Sequence, residues 1–303
     1  MSVPVILFRQ IIVMFILVGI GFLLRKAGKI TDEGSKTLGN ILIYISLPSI
    51  ILNGFMVERT PERMQGLLIS ALVGAAALAI SMVLSHLVFR KDAVAEFASS
   101  FSNPGLFGTP LIIASLSEGA IFYIACFIAY LNLMQFTWGV SLMTGDKKSI
   151  QPKKILTAPA MIAIIIGLFC FFTALPVPTI IRTTLNFTSA LNTPLAMLTI
   201  GVYLSHTTAK EIFTRKSLYL ISLMRLVVIP LITLAVLCVI PSSNLEMKTA
   251  ILIAAAAPVG SNVAVYAQLH GADYKYSVGS VVITTLLSLA TIPLIVRLAE
   301  MLW

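Results

Sequence analysis

Two short clusters in this chain combine amide side chains with residues that break helices, each in the middle of an apolar run. The first is Ser102-Asn103-Pro104-Gly105-Leu106-Phe107-Gly108-Thr109-Pro110 and the second is Ala257-Pro258-Val259-Gly260-Ser261-Asn262. Proline removes a backbone donor and clashes with the preceding turn, while glycine costs helix stability. Each cluster is therefore expected to unwind the middle of a helix. The half-helix that follows then presents unpaired N–H groups and the positive end of its dipole, which suit a negatively charged ligand. The chemistry on offer is the holding of an anion by Asn103 and by backbone N–H groups around residues 105–108 and 260–262. Pro104, Gly105, Gly108, Pro258, Gly260, Ser261 and Asn262 complete this candidate substrate-binding set.

Other polar residues lie within apolar stretches. Asn132 and Gln135 are three apart and share a helical face that could line the same site. Thr284, Thr285 and Ser288 partly do so too, but for hydroxyls ordinary interhelical hydrogen bonding is the simpler reading. Arg225 sits about eight residues into an apolar run, and a buried arginine is functional by default. It is read as a counter-ion for substrate, a clamp on broken backbone carbonyls, or a side chain that snorkels to the interface. No acidic residue lies deep in any apolar run, since Asp32, Asp92, Asp146 and Asp273 fall in connections and Glu96 and Glu118 near segment ends. His86, His206 and His270 fall at segment ends and read as interfacial. No coupling ion therefore has an evident ligand, and no cofactor or metal site is predicted. An intramembrane enzyme would need a nucleophile with its base, an aspartate pair or an H-E-x-x-H pattern, and none is present. Cys126, Cys170 and Cys238 lie in apolar stretches with no disulfide or metal spacing.

The elements that must position these residues are membrane spans. Of 303 residues, 58% are hydrophobic and 11% charged, and mean hydropathy is +0.99. That composition cannot clothe a soluble domain, for which roughly a quarter charged is usual. Ten apolar segments are predicted, at about 4–24, 37–55, 65–89, 93–115, 119–142, 157–175, 180–205, 217–240, 247–269 and 273–300, with the first read as a permanent helix rather than a cleaved leader. The net charge of +9 reflects basic loop residues that orient the chain in a bilayer, so nucleic acid is not an expected partner. Alternate loops hold Arg25, Lys26, Lys29, Lys36, Arg90, Lys91, Lys147, Lys148, Lys153, Lys154, Lys210, Arg215, Lys216 and Lys275, against Arg59, Arg63, Arg182 and Lys248 in the others. The bias puts the first set in the cytoplasm and both termini outside, in the inner (plasma) membrane. Gly108 and Gly119 recur 152 residues later as Gly260 and Gly271, and Leu47-Pro48 has a counterpart in Thr193-Pro194. With five segments per half, these echoes predict inverted repeats over 1–145 and 146–303. Interrupted segments at matching places in two halves point to a transporter's binding site.

Several motifs resemble the auxin efflux carrier family, which includes plant auxin carriers and bacterial permeases for malate or malonate. They are Asn103 with Gly108 and Pro110, Ala255-Ala256-Ala257-Pro258-Val259-Gly260 followed by Val263-Ala264-Val265-Tyr266-Ala267, Leu47-Pro48, and Leu289-Ala290-Thr291-Ile292-Pro293-Leu294. The resemblance covers essentially the full chain, although the long cytoplasmic loop of many plant members is absent. It implies an all-α polytopic fold of the bile-acid symporter/NhaA type, with ten transmembrane helices in two inverted five-helix repeats and broken helices 4 and 9 crossing. Helices 1, 2, 6 and 7 would form a scaffold, and helices 3–5 and 8–10 a mobile transport domain. On the same resemblance Asn103 matches a substrate-contacting asparagine, and Asn132 lies close to a polar position facing that pocket. The expected activity is secondary transport of small organic anions such as malate or auxin-like acids by an elevator-like alternating access, in a lipid bilayer and compatible with a homodimer. The rivals are a sodium-coupled bile-acid-type symporter and a non-transporting sensor of the same fold.

Overall fold

Capping side chains set several of the helix starts. The computed structural model describes residues 2–146, 156–206, 208, 214–240 and 244–303. Its helices are α1 (Val3–Lys26), α2 (Asp32–Phe55), α3 (Pro61–Phe89), α4 (Ala93–Ser100), α5 (Pro104–Ser115), α6 (Glu118–Thr144), α7 (Pro159–Thr173), α8 (Thr179–Ser205), α9 (Lys216–Cys238), α10 (Leu245–Ala256), α11 (Asn262–Leu269) and α12 (Tyr274–Leu302). Thr31, Thr60, Asp92, Asn244 and Asp273 each accept a first-turn N–H, satisfying donors a helix leaves orphaned. Seven helices, α1, α2, α3, α6, α8, α9 and α12, are long and apolar enough to cross a membrane. No strand occurs among the described residues, apart from one isolated bridge between Ser102 and Val259. The chain is an all-helical, multi-pass membrane protein.

Predicted segments 4, 6 and 9 do not appear as continuous helices of spanning length. Segment 4 is α4 and α5, segment 9 is α10 and α11, and α7 has 15 residues. At 1.5 Å per residue α7 rises about 23 Å, short of the roughly 30 Å hydrocarbon core. Lys147, Lys148, Lys153, Lys154 and Lys210, together with Pro241, Ser242 and Ser243 of another predicted connection, lie outside the described residues.

Four helices widen into a five-residue π turn: α2 at Leu42–Ser46, α5 at Pro104–Gly108, α6 at Gln135–Gly139 and α9 at Met224–Val228. Burial separates lipid-facing from protein-facing helices. α1 exposes Phe8, Ile16 and Leu23, whereas residues 94–100 of α4 and 250–256 of α10 are buried throughout. The half-helices that lead into the two breaks are thus wrapped in protein, as backbone irregularity inside lipid requires.

α1 packs on α8, α2 on α7 and α8, α3 on α4 and α6, and α12 on α9, α10 and α11. The α1–α8 contact is nearly backbone to backbone. A Cβ on Gly21 would overlap Leu198, and one on Gly201 would overlap the Val18 carbonyl. Small residues let membrane helices gain dispersion energy where no hydrophobic force acts between them. α2 and α8 run antiparallel and are stitched by side chains: Thr188 Oγ1 donates to Ser49 Oγ at 2.7 Å, and Asn53 Nδ2 donates to Asn186 Oδ1 at 3.0 Å and Ser189 Oγ at 3.2 Å. Gly201→Leu should force α1 off α8 and destabilise the protein by about 1–3 kcal/mol or more. A lower midpoint of thermal unfolding in detergent is the expected reading, and an unchanged midpoint would contradict the close approach.

Candidate functional site

Both helix interruptions meet. Residues 101–103 run antiparallel to residues 258–260, with Asn103 N donating to Pro258 O at 2.9 Å and Gly260 N donating to Phe101 O at 3.0 Å. Backbone groups that Pro104 and Pro258 release from their helices therefore satisfy one another, which a water-free interior demands. The approach is close: a Cβ on Gly260 would stand 3.0 Å from Ser102 O. Val259 N donates to Thr284 Oγ1 at 3.1 Å, and the Thr284 hydroxyl passes on to Ser280 O at 2.6 Å. Thr284 thus braces the second break from α12.

Arg225 closes the other exposed ends. Its guanidinium is buried, with Nη1 donating to Ser81 Oγ at 3.0 Å, Ser99 O at 3.1 Å and Ser100 O at 3.3 Å, and Nη2 donating to Ala255 O. Ser99 and Ser100 end α4, and Ala255 is at the end of α10. One cation thereby neutralises the orphan carbonyls and negative dipole ends of two half-helices at once. Arg225 does not line the cavity described next, and of its three sequence readings the clamp is the one its contacts match.

Beside the breaks lies a cavity of about 620 Å³. Asn103, Pro104, Gly105, Asn132, Gln135, Gly260, Ser261 and Asn262 all line it. Gly108 and Pro258 stand behind the wall: Gly108 packs near Ala254 and Ala257, and Pro258 contributes its carbonyl to the pairing. Asn103 caps the π turn that opens α5, its Oδ1 accepting from Leu106 N at 3.3 Å. An N–H must face an oxygen, so this contact turns the Asn103 amide nitrogen out as a donor. Gln135 Oε1 accepts from Asn262 Nδ2 at 2.8 Å, while Gln135 Nε2 is buried without a partner. Asn132 spends its Nδ2 on Ile128 O at 3.0 Å and offers the cavity its carbonyl oxygen. Neutral donors thus converge on one side of the cavity, and among the described residues no lysine, arginine, aspartate or glutamate lines it.

Tyr44 and Leu47 of α2, Phe136, Tyr266, and Thr157, Ala158, Pro159 and Ala160 at the start of α7 form part of the remaining wall. These residues are not among the predicted site residues because two of the four groups come from other helices, α2 and α7, and an aromatic in an apolar span looks like any lipid-facing one. His270, read from sequence as interfacial, also lines the cavity, with its ring stacked on Tyr266 at a centroid distance of 6.2 Å. Glu96 is read from sequence as lying near a helix end, and it does sit in the first turn of α4. Even so it is 1% exposed, 2.8 Å from His86 Nδ1 and outside the cavity.

Loss of Arg225 leaves Ala255 O without its donor and Ser99 O and Ser100 O with only the Ser81 hydroxyl between them, at about 1–3 kcal/mol for each group left unpaired. Arg225→Ala should therefore lower the thermal midpoint sharply or abolish folding, with Arg225→Lys falling between it and the parent because one ammonium cannot span both half-helices. A midpoint for Arg225→Ala equal to the parent's would remove the clamp.

Comparison with known proteins agrees with this architecture. A family model described as "Membrane transport protein" matches residues 6–296. A protein of Rhizobium meliloti named "Putative malonate transporter" is 25% identical over 296 residues, covering 92% of this chain and 91% of its own. An uncharacterized transporter of Methanocaldococcus jannaschii is 26% identical over 302 residues, covering 94% and 96%, and one of Methanothermobacter thermautotrophicus is 24% identical with the same coverage. The match along nearly the whole length makes this a transport protein and not an enzyme, and the chain belongs to the membrane transport protein family, that of the auxin efflux carriers.

Proposed function

We propose that the chain is a secondary transporter of small organic anions, carboxylates above all, working by alternating access. The observation that carries this reading is the meeting of two opposed helix interruptions at one cavity lined by unspent neutral donors, Asn103 Nδ2 and the Ser261 hydroxyl, with the unpartnered Gln135 Nε2 buried behind them. A carboxylate would take these donors and sit near the N-terminal dipole ends of α5 and α11, whose pull is worth up to about 2 kcal/mol in partly buried geometry. Among the described residues no lysine or arginine lines the wall, and a charge held by neutral donors alone is held moderately, which favours release. The relative named for malonate supports the carboxylate class. A volume within the usual ligand range of about 300–1,000 Å³, with long apolar walls, also accommodates carboxylates with an apolar body.

In this reading the chain crosses the inner (plasma) membrane ten times, α4–α5 and α10–α11 each counting as one broken span. Residues 1–145 and 146–303 form inverted halves, and both termini are extracytoplasmic. α1, α2, α7 and α8 form the scaffold, while α3 to α6 and α9 to α12 slide past it as an elevator. The packing of α1 on α8 and of α2 on α7 and α8 supports the scaffold, and α1 meets the other group where it packs on α5 and α12. Thr157, Ala158 and His270 border the cavity next to connections assigned to the cytoplasm, so the conformation described is inward-open.

The test is uptake of labelled mono- and dicarboxylates by purified protein in liposomes, with and without imposed pH and sodium gradients. Asn103→Ala should reduce uptake at least tenfold. It should still fold, since losing the cap to Leu106 N costs about 0.5–2 kcal/mol. Normal uptake by a well-folded Asn103→Ala protein would sink the site assignment.

A further inference from the structure

A second set of unspent polar atoms lies away from the cavity wall, between α2 and α8. Asn192 is 1% exposed, and neither its Nδ2 nor its Oδ1 has a partner; Ser46 is fully buried, and its Oγ has none either. The register of the two helices brings these residues together. Thr188 bonds Ser49, and one helical turn further along each antiparallel helix are Asn192 and Ser46. Ser46 ends the π turn of α2 and Asn192 follows the turn at Leu191 that interrupts α8. Both are trailed by a proline, Pro48 and Pro194, which deprives a neighbouring carbonyl of its helical donor.

The location connects two spaces. Leu47, next to Ser46, lines the large cavity, and its Cδ1 would be 3.1 Å from a Cβ on Gly105. Further along α2 and α8 is a smaller cavity of about 170 Å³, lined by Ile50, Asn53, Ala190 and Thr193 from these helices and by Ile113, Glu118 and Ile121. The Ser46–Asn192 pair is thus level with the barrier between the two, and the second half of α8 packs against the Pro104–Gly108 turn. A buried amide without partners is costly, and a leucine of similar shape would carry no such cost. Polar atoms kept at that expense match a ligand that is there only part of the time.

We infer that Asn192, with Ser46, is a scaffold-side subsite for the carboxylate as it passes from one cavity to the other. Asn192 Nδ2 and the Ser46 hydroxyl supply two donors when the loaded break draws level with them. The inference rests on the elevator reading above, and it adds to the scaffold a specificity role that the substrate-holding residues do not have.

The experiment uses full-length protein, with labelled malonate and indole-3-acetate as probes. Asn192→Leu should melt at the parent's temperature or higher, should keep the thermal shift that the transported probe gives the parent in detergent, and should lose at least tenfold in liposome uptake. Asn192→Asp, which puts a negative charge in the path, should lose uptake as well, and Ser46→Ala should lose several-fold. Uptake by Asn192→Leu within twofold of the parent would overturn the subsite, as would a clear drop in its melting temperature, since that marks an amide already bonded within the fold. A parent protein that moves neither probe would overturn the transport reading itself, and Asn103→Ala tests that reading separately.

Discussion

Backbone hydrogen bonding without water is the constraint on which this structure depends. Pro104, Pro110 and Pro258 free N–H and C=O groups at a depth where no solvent can take them. Every group so freed needs a partner inside the protein. The breaks supply part of the answer to each other through the Asn103–Pro258 and Gly260–Phe101 bonds. Thr284 takes Val259 N, and Arg225 takes Ser99 O, Ser100 O and Ala255 O. Those contacts come from α9 and α12, so the interrupted core determines where these helices must lie and not the reverse.

The same arrangement divides labour between charge and binding. The cation nearest the breaks is engaged with carbonyls and the Ser81 hydroxyl and does not line the cavity, while the polar part of the cavity wall is mostly amides and hydroxyls. Arg225 stabilises the negative ends of α4 and α10, leaving the positive ends of α5 and α11 turned toward the cavity. Field direction inside the site is therefore fixed by backbone, which does not titrate. Side-chain amides then add geometry: Gln135 and Asn262 hold each other across two helices, and each keeps one polar atom for what enters.

What the sequence could reveal follows the range of the forces involved. Helix interruption is a local property of proline and glycine, so both breaks are visible in the residues themselves. Asn103 was visible as the polar residue beside one of them. Asn132 and Gln135 were visible as a shared face, but their different uses were not, because the partner of Gln135 is 127 positions away and that of Asn132 is on its own helix. Gly108 and Pro258 look equivalent to Gly105 and Gly260 in sequence, yet only the latter pair reaches the cavity. Arg225 left three readings open, since its acceptors are contributed by α3, α4 and α10. Glu96 marks the opposite limit: a helix end in sequence need not be at a protein surface, and this carboxylate is buried.

The π turns have a consequence for how such a molecule can vary. Each is in effect one residue inserted into an α-helix, and one residue turns everything beyond it by about 100°. The four turns contain or adjoin Ser46, Asn103, Gln135 and Arg225. Each of those side chains is therefore aimed by a phase offset as well as by its own identity. Changing the residue alters the chemistry at that point, whereas losing one residue anywhere in the turn rotates a whole half-helix against its neighbours. In this fold chain length within the spans is consequently under tighter constraint than residue type, and relatives should accommodate insertions and deletions in the connections while holding the count between these four positions and the helix ends they serve.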